Sequence, residues 1–288
     1  MRQFFLETGT GERLSLQSKS LFFYLPTGLG FSENRTLSQI EYGFWTEQNK
    51  LFGARNILGT MVFTNEEQDP YVSYEQFVNF IESAESLKLV YVPYTGRELY
   101  SDVKFNGIEL SEKDVNGLLQ CETQFVALSP YYEKNPLNFY FSTNDITTPF
   151  VFPFTYPFQY VDGNFGGGQT FTVDGHFDAA FELKIYGAAS NISFYCTDLK
   201  GNEIGRLELP DVSIEDGEYI LYSTKPNQDG IWLVSNGTKE DLVPYLDINL
   251  QNFFLLPKNK TINAYLKLTA GAGTEKTHVL SVFEYFKG

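Results

Sequence analysis

Histidine and cysteine, which often serve as metal ligands and nucleophiles, are scarce in this sequence. There are two of each among 288 residues: His176, His278, Cys121 and Cys196. The cysteines lie 75 positions apart (196 − 121), which fits neither a metal-binding motif nor a disulfide framework. Both have alternating apolar neighbours, so we expect buried free thiols. We interpret both histidines as ordinary surface residues, and the sequence predicts no metal site and no cofactor.

Motifs for nucleophilic catalysis and phosphate binding are absent from the sequence. There is no Gly-X-Ser-X-Gly elbow, and hence no sign of a hydrolase nucleophile. The glycine-rich run at 163–168 lacks the following Lys-Ser/Thr pair of a phosphate-binding loop. The 36 acidic residues make carboxylate pairs unavoidable, so their spacing identifies no glycosidase site. The sequence therefore predicts no catalytic residues and a protein that is not an enzyme.

The two tryptophans, Trp45 and Trp232, suggest a different chemistry, because the apolar faces of sugars pack on aromatic rings. Trp232 lies in the apolar run 230–233 and has two interpretations. It is either a stacking platform for a carbohydrate or part of a β-sandwich core, and its apolar neighbours favour the core. We keep Trp232 as the one candidate carbohydrate contact.

The formal net charge of −15 disfavours binding of nucleic acid, which depends on neutralisation of phosphates by Lys and Arg. It also disfavours an anionic membrane surface. The first residues lack the apolar core of a signal peptide, and no stretch reaches the roughly 18 apolar residues that cross a bilayer. We therefore expect synthesis in the cytoplasm and no membrane partner.

The elements that carry these residues are predicted to be mainly β. Aromatic residues make up 17% of the sequence, and short apolar runs are bounded by turn residues. Residues 98–105 and 118–128 predict a long hairpin with one wet face. The second half predicts a β-sandwich. Its candidate strands are 169–173, 180–186, 192–196, 203–209, 218–223, 231–234, 253–256, 261–269 and 279–286.

One amphipathic α-helix is predicted over residues 73–85. Ser73 is expected to cap it, with Gln76 completing a capping box. The apolar stripe, at i, i+3, i+4 and i+7, consists of Phe77, Phe80, Ile81 and Ala84. We expect this stripe to pack on a sheet.

Residues 38–64 predict a pair of long strands, the first over 38–48 and the second over 53–64. The hairpin segment 43–53 carries large apolar residues in a polar, glycine-flanked setting. These residues are Phe44, Trp45, Leu51 and Phe52. We predict that they form an interface with a neighbouring subunit; the alternative is a tip folded back on its own core.

A change in composition after residue 132 divides the chain into three predicted segments. Residues 141–168 contain three prolines at every fourth position, interleaved with aromatic residues, which excludes a helix and restricts pairing to a sheet edge. We predict an N-terminal β-sandwich with one helix at 1–140, an extended connector at 141–168, and a C-terminal β-sandwich at 169–288. The fold class is mainly β, all-β with one notable α-helix.

The order of these features resembles the distal tail protein (Dit) family of siphophages that infect Gram-positive bacteria. In the first half, the resemblance rests on the strand pair at 38–64 before the helix, and on the strand at 118–132 that ends in Ser-Pro-Tyr-Tyr. The aromatic-proline run at 150–158 is similar to the family's connector. In the second half, 181–187 and 253–257 are similar to its galectin-like C-terminal domain.

The resemblance implies a structural hub of the tail and baseplate, located in the virion. It implies a homo-hexameric ring whose first domains enclose a channel through which DNA passes without specific binding. One face of the ring would contact the tail tube protein and the other the tail-associated lysin or tip protein. Receptor-binding or baseplate proteins would dock at the periphery. The resemblance brings no catalytic residues, and a galectin-like fold does not itself imply sugar binding.

Two other functions stay open at this point. The first is a carbohydrate-binding β-sandwich adhesin for host cell-wall recognition, with Trp232 in its site. The second is a secreted β-sandwich glycosidase fragment. The oligomeric state, glycan binding and polysaccharide turnover discriminate among the three.

Overall fold

The computed structural model of the chain describes residues 2–31, 33–93, 96–142, 164–247, 249–270 and 277–288. The chain divides into two compact units. The first comprises Met1–Lys134 and Phe286–Gly288, and the second comprises Asn135–Tyr285. Residues 135–140, which the sequence assigned to the first domain, therefore lie in the second unit. Most of the predicted connector, 143–163, lies outside the described residues, as does its aromatic-proline run.

The first unit is built around one large antiparallel sheet. Its elements are β1 (Gln3–Thr8), β2 (Arg13–Ser15), β3 (Leu21–Thr27), β4 (Glu33–Gln39), β5 (Trp45–Phe52), β6 (Arg55–Phe63), α1 (Pro70–Glu82), β7 (Leu87–Val92), β8 (Leu99–Glu109), β9 (Leu119–Ala127) and β10 (Tyr131–Tyr132). The sheet has the order β2-β1-β7-β8-β9-β6-β3, with β10 paired to β8, while β4 and β5 form a separate two-stranded sheet.

The sheet of the first unit curls around an apolar core. Alternate residues of β9 are buried, as its sequence predicts. Although β1 and β3 lie near opposite ends of the sheet, the ring centroids of Phe4 and Phe23 are 5.7 Å apart. Leu16 joins them, because its N–H donates to the Phe4 carbonyl and its carbonyl accepts from the Phe23 N–H. One curled sheet thereby supplies both layers of the core.

Helix α1 packs its predicted apolar stripe against this sheet. Phe77 is buried, and its ring lies 5.9 Å from the rings of both Phe63 on β6 and Phe105 on β8. Ile81 is also buried, and Phe80 and Ala84 are packed against the same core. The prediction of a helix packed on a sheet is confirmed.

The predicted start of this helix is wrong. Asp69 is the N-cap, and its carboxylate accepts a hydrogen bond from the Tyr71 N–H at 3.0 Å. A proline occupies the first helical position, where its missing N–H costs nothing. Ser73 lies inside the helix, buried, and its hydroxyl accepts from Gln68 Nε2 at 2.9 Å. The same amide donates to Gln76, so Gln76 is engaged outside any capping box.

Replacing the cap residue, as Asp69→Ala, is expected to lower the melting temperature of the chain near neutral pH. The change removes the acceptor of the Tyr71 N–H and the partner of the Lys113 ammonium, 2.9 Å away. Hydrogen bonds from Lys113 and from the Tyr71 backbone lower the pKa of the Asp69 carboxyl. A lowered pKa in the folded state stabilises the protein above the unfolded value of about 4, and this stabilisation is lost as the pH falls.

The difference in melting temperature between the wild type and this variant should therefore shrink on acidification. Glu75→Ala is the matched control, because it removes an exposed carboxylate from the same helix. Thermal unfolding followed by circular dichroism at several pH values measures both variants. Equal shifts for Asp69→Ala and Glu75→Ala would contradict the assignment of the cap.

The second unit is a sandwich of two antiparallel sheets. Its strands are β11 (Leu137–Ser142), β12 (Asn164–Val173), β13 (Ala180–Tyr186), β14 (Ala189–Asp198), β15 (Glu203–Ile214), β16 (Tyr219–Ser223), β17 (Gly230–Ser235), β18 (Thr238–Asp241), β19 (Lys260–Ala270) and β20 (Thr277–Phe283), and β21 (Tyr285–Phe286) ends the chain. One sheet has the order β11-β20-β13-β16-β17-β18, and the other has the order β12-β19-β14-β15.

The two sheets of the second unit bury one apolar core between them. Phe181 on β13 meets Phe194 on β14 across the sandwich, with ring centroids 5.7 Å apart, and Phe254 packs against both rings. Cys196 lies in this core, and Cys121 lies in the core of the first unit. Burial raises the pKa of both thiols, and both cysteines are free, as predicted.

The mainly β fold class with one notable α-helix is confirmed. The predicted strand at 253–256 is wrong, since this apolar run is an extended loop with a single bridge between Leu256 and Ala179. Strands β11 and β18 were not predicted. β18 consists of exposed polar residues, so it lacks the apolar alternation by which strands are recognised.

Candidate interaction surfaces

The structure brings no catalytic or metal-binding cluster together in the part of the chain that it describes. No group of three or more His, Cys, Asp or Glu side chains there is placed to hold a metal ion. His176 is exposed, as predicted. The prediction for His278 is wrong: its side chain is buried, and its Nδ1 accepts a hydrogen bond from the Tyr186 N–H at 3.1 Å. None of the described helices has the length and apolar character to cross a membrane.

A cluster of strongly exposed apolar residues lies on the β4–β5 hairpin. At its tip the Ile40 N–H donates to the Phe44 carbonyl at 2.7 Å, and Tyr42 and Gly43 take positive φ angles of 60° and 81°. Tyr42, Phe44 and Trp45 are 93%, 72% and 61% exposed. Leu37 and Ile40 are also more than half exposed. Clustered aromatic exposure of this kind is typical of an interaction surface, which makes the hairpin tip a candidate.

The hairpin differs from the predicted strand pair. Residues 38–48 are not one strand, because the turn at Glu41–Gly43 separates β4 from β5. β6 does not continue the hairpin, since it pairs with β3 and β9 in the large sheet. Of the predicted interface residues, Phe44 and Trp45 are at the exposed tip. Leu51 and Phe52 lie at the far end of β5, opposite Asn34 and Glu33, and their side chains lie outside the described residues.

Arg55 anchors the segments at the root of this hairpin. Its guanidinium, although buried, donates to the carbonyls of Leu29 and Gly30, at 3.2 and 2.5 Å, just before β4. It also donates to the hydroxyl of Ser101 and the carbonyl of Ser129, at 3.2 and 3.3 Å. The Tyr131 ring completes the site, 4.4 Å from the guanidinium carbon. One side chain thus fixes both chain segments that lead into and out of the hairpin.

The backbone at Gly28, in the loop before the hairpin, closely approaches the backbone of β6. Gly28 has a φ of 74°, and a Cβ at this position would lie 2.0 Å from the Asn56 carbonyl oxygen. Only glycine fits both this conformation and this space. The loop before β4 is therefore held tightly against β6.

The sheet face of the first unit that points away from its core holds a polar groove of about 550 Å³. Glu109 on β8 and Glu122 on β9 are paired directly across the strands and line this groove. No lysine or arginine is among its described lining residues. The groove therefore has a negative potential that repels phosphate groups.

The preferred interpretation of Trp232 as a core residue is wrong. Residues alternate between the two faces of β17, and Ile231 takes the buried position. Trp232 is half-buried on the opposite, outer face of the six-stranded sheet. Residues 231–233 are all apolar, so no alternation indicated which face of the strand Trp232 occupies.

Sequence reasoning missed part of the hairpin surface. Tyr42, the most exposed of its aromatic residues, was assigned to an extended strand, as was Ile40. The Tyr42-Gly43 pair was the available signal, because glycine tolerates the positive φ of a tight turn. Arg55 gave no signal, since most of its hydrogen-bond partners are backbone carbonyls remote in sequence.

A family model decides the identity of the first unit. Residues 3–128 match the model described as "Distal tail protein, N-terminal domain". The first unit is a distal tail protein N-terminal domain. The match covers the large sheet, helix α1 and the hairpin, and it confirms the predicted resemblance and a structural role in the distal tail.

Solved structures share the fold of this chain over nearly its whole length. One is the SPP1 Dit protein, described as a paradigm of the hub adsorption apparatus of phages that infect Gram-positive bacteria. It is 10% identical, with a TM-score of 0.62, covering 97% of this chain and 98% of that one. A chain of the phage P2 baseplate, in its activated conformation with Ca, is 17% identical with a TM-score of 0.53, covering 94% and 99%. At these identities the likeness concerns the fold alone. No curated protein matches the sequence.

Proposed function

We propose that this distal tail protein forms a homo-hexameric ring that joins the tail tube of a long-tailed phage to its tip. The first units surround a central channel through which DNA passes without specific binding. The tail tube protein binds one face of the ring, and the tail-associated lysin or tip protein binds the other. Receptor-binding or baseplate proteins dock at the periphery. The protein is made in the cytoplasm of the host and works in the virion, with no enzymatic activity.

The exposed hairpin tip is the main observation that supports the proposed hexameric ring. Tyr42, Phe44 and Trp45 are large and face solvent in the single chain, which is unfavourable unless a partner covers them. In the proposed ring the hairpin of one copy contacts a different surface of the next copy. Such heterologous contacts form a closed ring when the rotation between neighbours closes. Leu51 and Phe52 belong to the same proposed interface.

The acidic groove supports the proposed channel. A surface that carries Glu109 and Glu122 without basic residues does not neutralise phosphates, so it does not hold DNA in transit. The overall charge of −15 acts in the same direction. We assign this face of the sheet to the channel wall. The second unit, a β-sandwich that we take to be galectin-like, remains available for peripheral partners.

Native mass spectrometry of the purified chain tests the ring directly. The expected main species has six times the 32.8 kDa mass of one chain, because the hairpin tips are covered only in the assembly. Negative-stain electron microscopy should show rings with a central opening. A chain that stays monomeric at high micromolar concentration would contradict the proposal.

A further inference from the structure

The outer face of the six-stranded sheet in the second unit carries a groove that has no role in the proposed hexameric ring. Its volume is about 370 Å³, and it lies across β13, β16, β17 and β18. An aromatic ring and polar side chains line it together. These are Trp232, Glu182, Ser223, Lys225, Gln228 and Lys239. The combination of an aromatic surface with several hydrogen-bonding groups is typical of a small-molecule site.

The indole of Trp232 lies against the backbone of its own strand. Gly230, two residues earlier on the same face, makes this position available. A Cβ on residue 230 would come within 2.3 Å of the six-membered ring of the indole. Leu221, the direct cross-strand partner of Trp232, flanks the ring on β16. The indole is thereby held against the sheet at the edge of the groove.

The groove is locally cationic in a strongly acidic protein. Its lining contains two ammonium groups, on Lys225 and Lys239, and one carboxylate, on Glu182. Lys225 and Glu182 form an ion pair. The Lys239 Nζ lies over the Trp232 ring, 4.7 Å from its centre, and makes no ion pair among the described residues. Asp241 shares this sheet face next to Trp232, and its carboxylate accepts from the Val243 N–H.

We propose that this groove binds a saccharide that carries an anionic group, either a carboxylate or a phosphate. The apolar face of the sugar stacks on the Trp232 indole. The anionic group draws the Lys239 ammonium from its place over the ring into an ion pair, which frees the ring for the sugar. The hydroxyl groups bond to Gln228, Ser223 and the Glu182–Lys225 pair. This site goes beyond the proposed ring and does not rest on it, since the groove is complete within one chain.

Saturation-transfer NMR on the full wild-type chain tests the site with glucose 6-phosphate, glucuronate and glucose as probes. Both anionic sugars should give saturable signals with dissociation constants on the order of 1 mM, and glucose should bind about tenfold more weakly. The stronger of the two anionic probes identifies the preferred group. Inorganic phosphate, added as a competitor, should displace glucose 6-phosphate only at higher concentration than the sugar itself, because it lacks the stacking face.

Two variants separate the role of the Trp232 indole from that of the Lys239 ammonium. Trp232→Ala should abolish the signals of all three sugars, whereas Lys239→Gln should reduce only the anionic sugars to the level of glucose. Lys267→Gln is the matched control, because Lys267 is also a lysine beside an aromatic ring, 5.3 Å from that of Tyr195, but on the other sheet. Its binding should equal that of the wild type. Melting temperatures establish that each variant is folded.

Several results would overturn the proposal. They are the absence of a saturable signal from either anionic sugar, equal binding of glucose, displacement by phosphate as effective as by the sugar phosphate, and unchanged binding in folded Lys239→Gln. These measurements do not depend on assembly. A chain that binds no sugar would therefore not contradict the proposed hexamer. A monomeric chain that binds sugar would contradict the hexamer but not the saccharide site.

Discussion

Replacing Phe44 and Trp45 together by serine is expected to convert the proposed hexamer into monomers. Both rings lie at the exposed tip of the β4–β5 hairpin, so in the proposed ring most of their burial comes from a neighbouring subunit. An aromatic anchor in a protein interface typically contributes about 2 kcal/mol or more. Two such losses weaken each subunit contact by about 4 kcal/mol, which is roughly a thousandfold in the dissociation constant. Native mass spectrometry over a concentration series measures the shift.

The fold of the double variant should be unaffected. Neither side chain belongs to the apolar cores, so dilute wild type and variant should melt at similar temperatures. Val115→Ser and Leu199→Ser are matched controls, since each removes an exposed apolar side chain from a turn that is not part of the hairpin. Both controls should form hexamers. A double variant that assembles like the wild type would show that the hairpin tip is not the contact.

Sequence patterns predicted the elements whose residues alternate strictly between core and solvent. The β9 strand and the apolar stripe of α1 are of this kind, because burial of every second or every third to fourth residue leaves its period in the sequence. The helix start was missed for a local reason. Ser73 and Gln76 match a capping box, but Asp69 followed by a proline is the signal that the chain uses.

The candidate surfaces were only partly predictable. Phe44 and Trp45 were found because large apolar residues in a polar segment need a partner. The turn at Tyr42 was missed, since the apolar alternation continues across it from Ile40 to Phe44. For Trp232, the flanking Ile231 and Leu233 hid which face of the strand it occupies. Such assignments depend on cross-strand register, which one sequence does not encode locally.

Arg55→Ala is expected to destabilise the first unit more than any other polar substitution proposed for it. The change removes hydrogen bonds to the carbonyls of Leu29, Gly30 and Ser129 and the stacking contact with Tyr131. Alanine cannot replace these bonds, and an acceptor that loses its partner in a partly buried site is costly. Hydrogen bonds to a charged donor contribute about 1.5–3 kcal/mol, so we expect a loss of about 3 kcal/mol in the free energy of unfolding.

Hydrogen exchange followed by mass spectrometry locates this effect within the chain. Peptides from β6, β8 and the 25–31 loop should exchange faster in Arg55→Ala, while peptides from β13 and β16 should be unchanged because they belong to the second unit. Arg35→Ala is the matched control. Its guanidinium forms an exposed ion pair with Glu47 at 3.1 Å, which contributes about 1 kcal/mol at most. Arg55→Lys keeps the charge but not the planar fork, so it should restore only part of the protection. If Arg55→Ala exchanges like Arg35→Ala, the guanidinium does not anchor the hairpin, and the orientation of the tip must be set by the backbone alone.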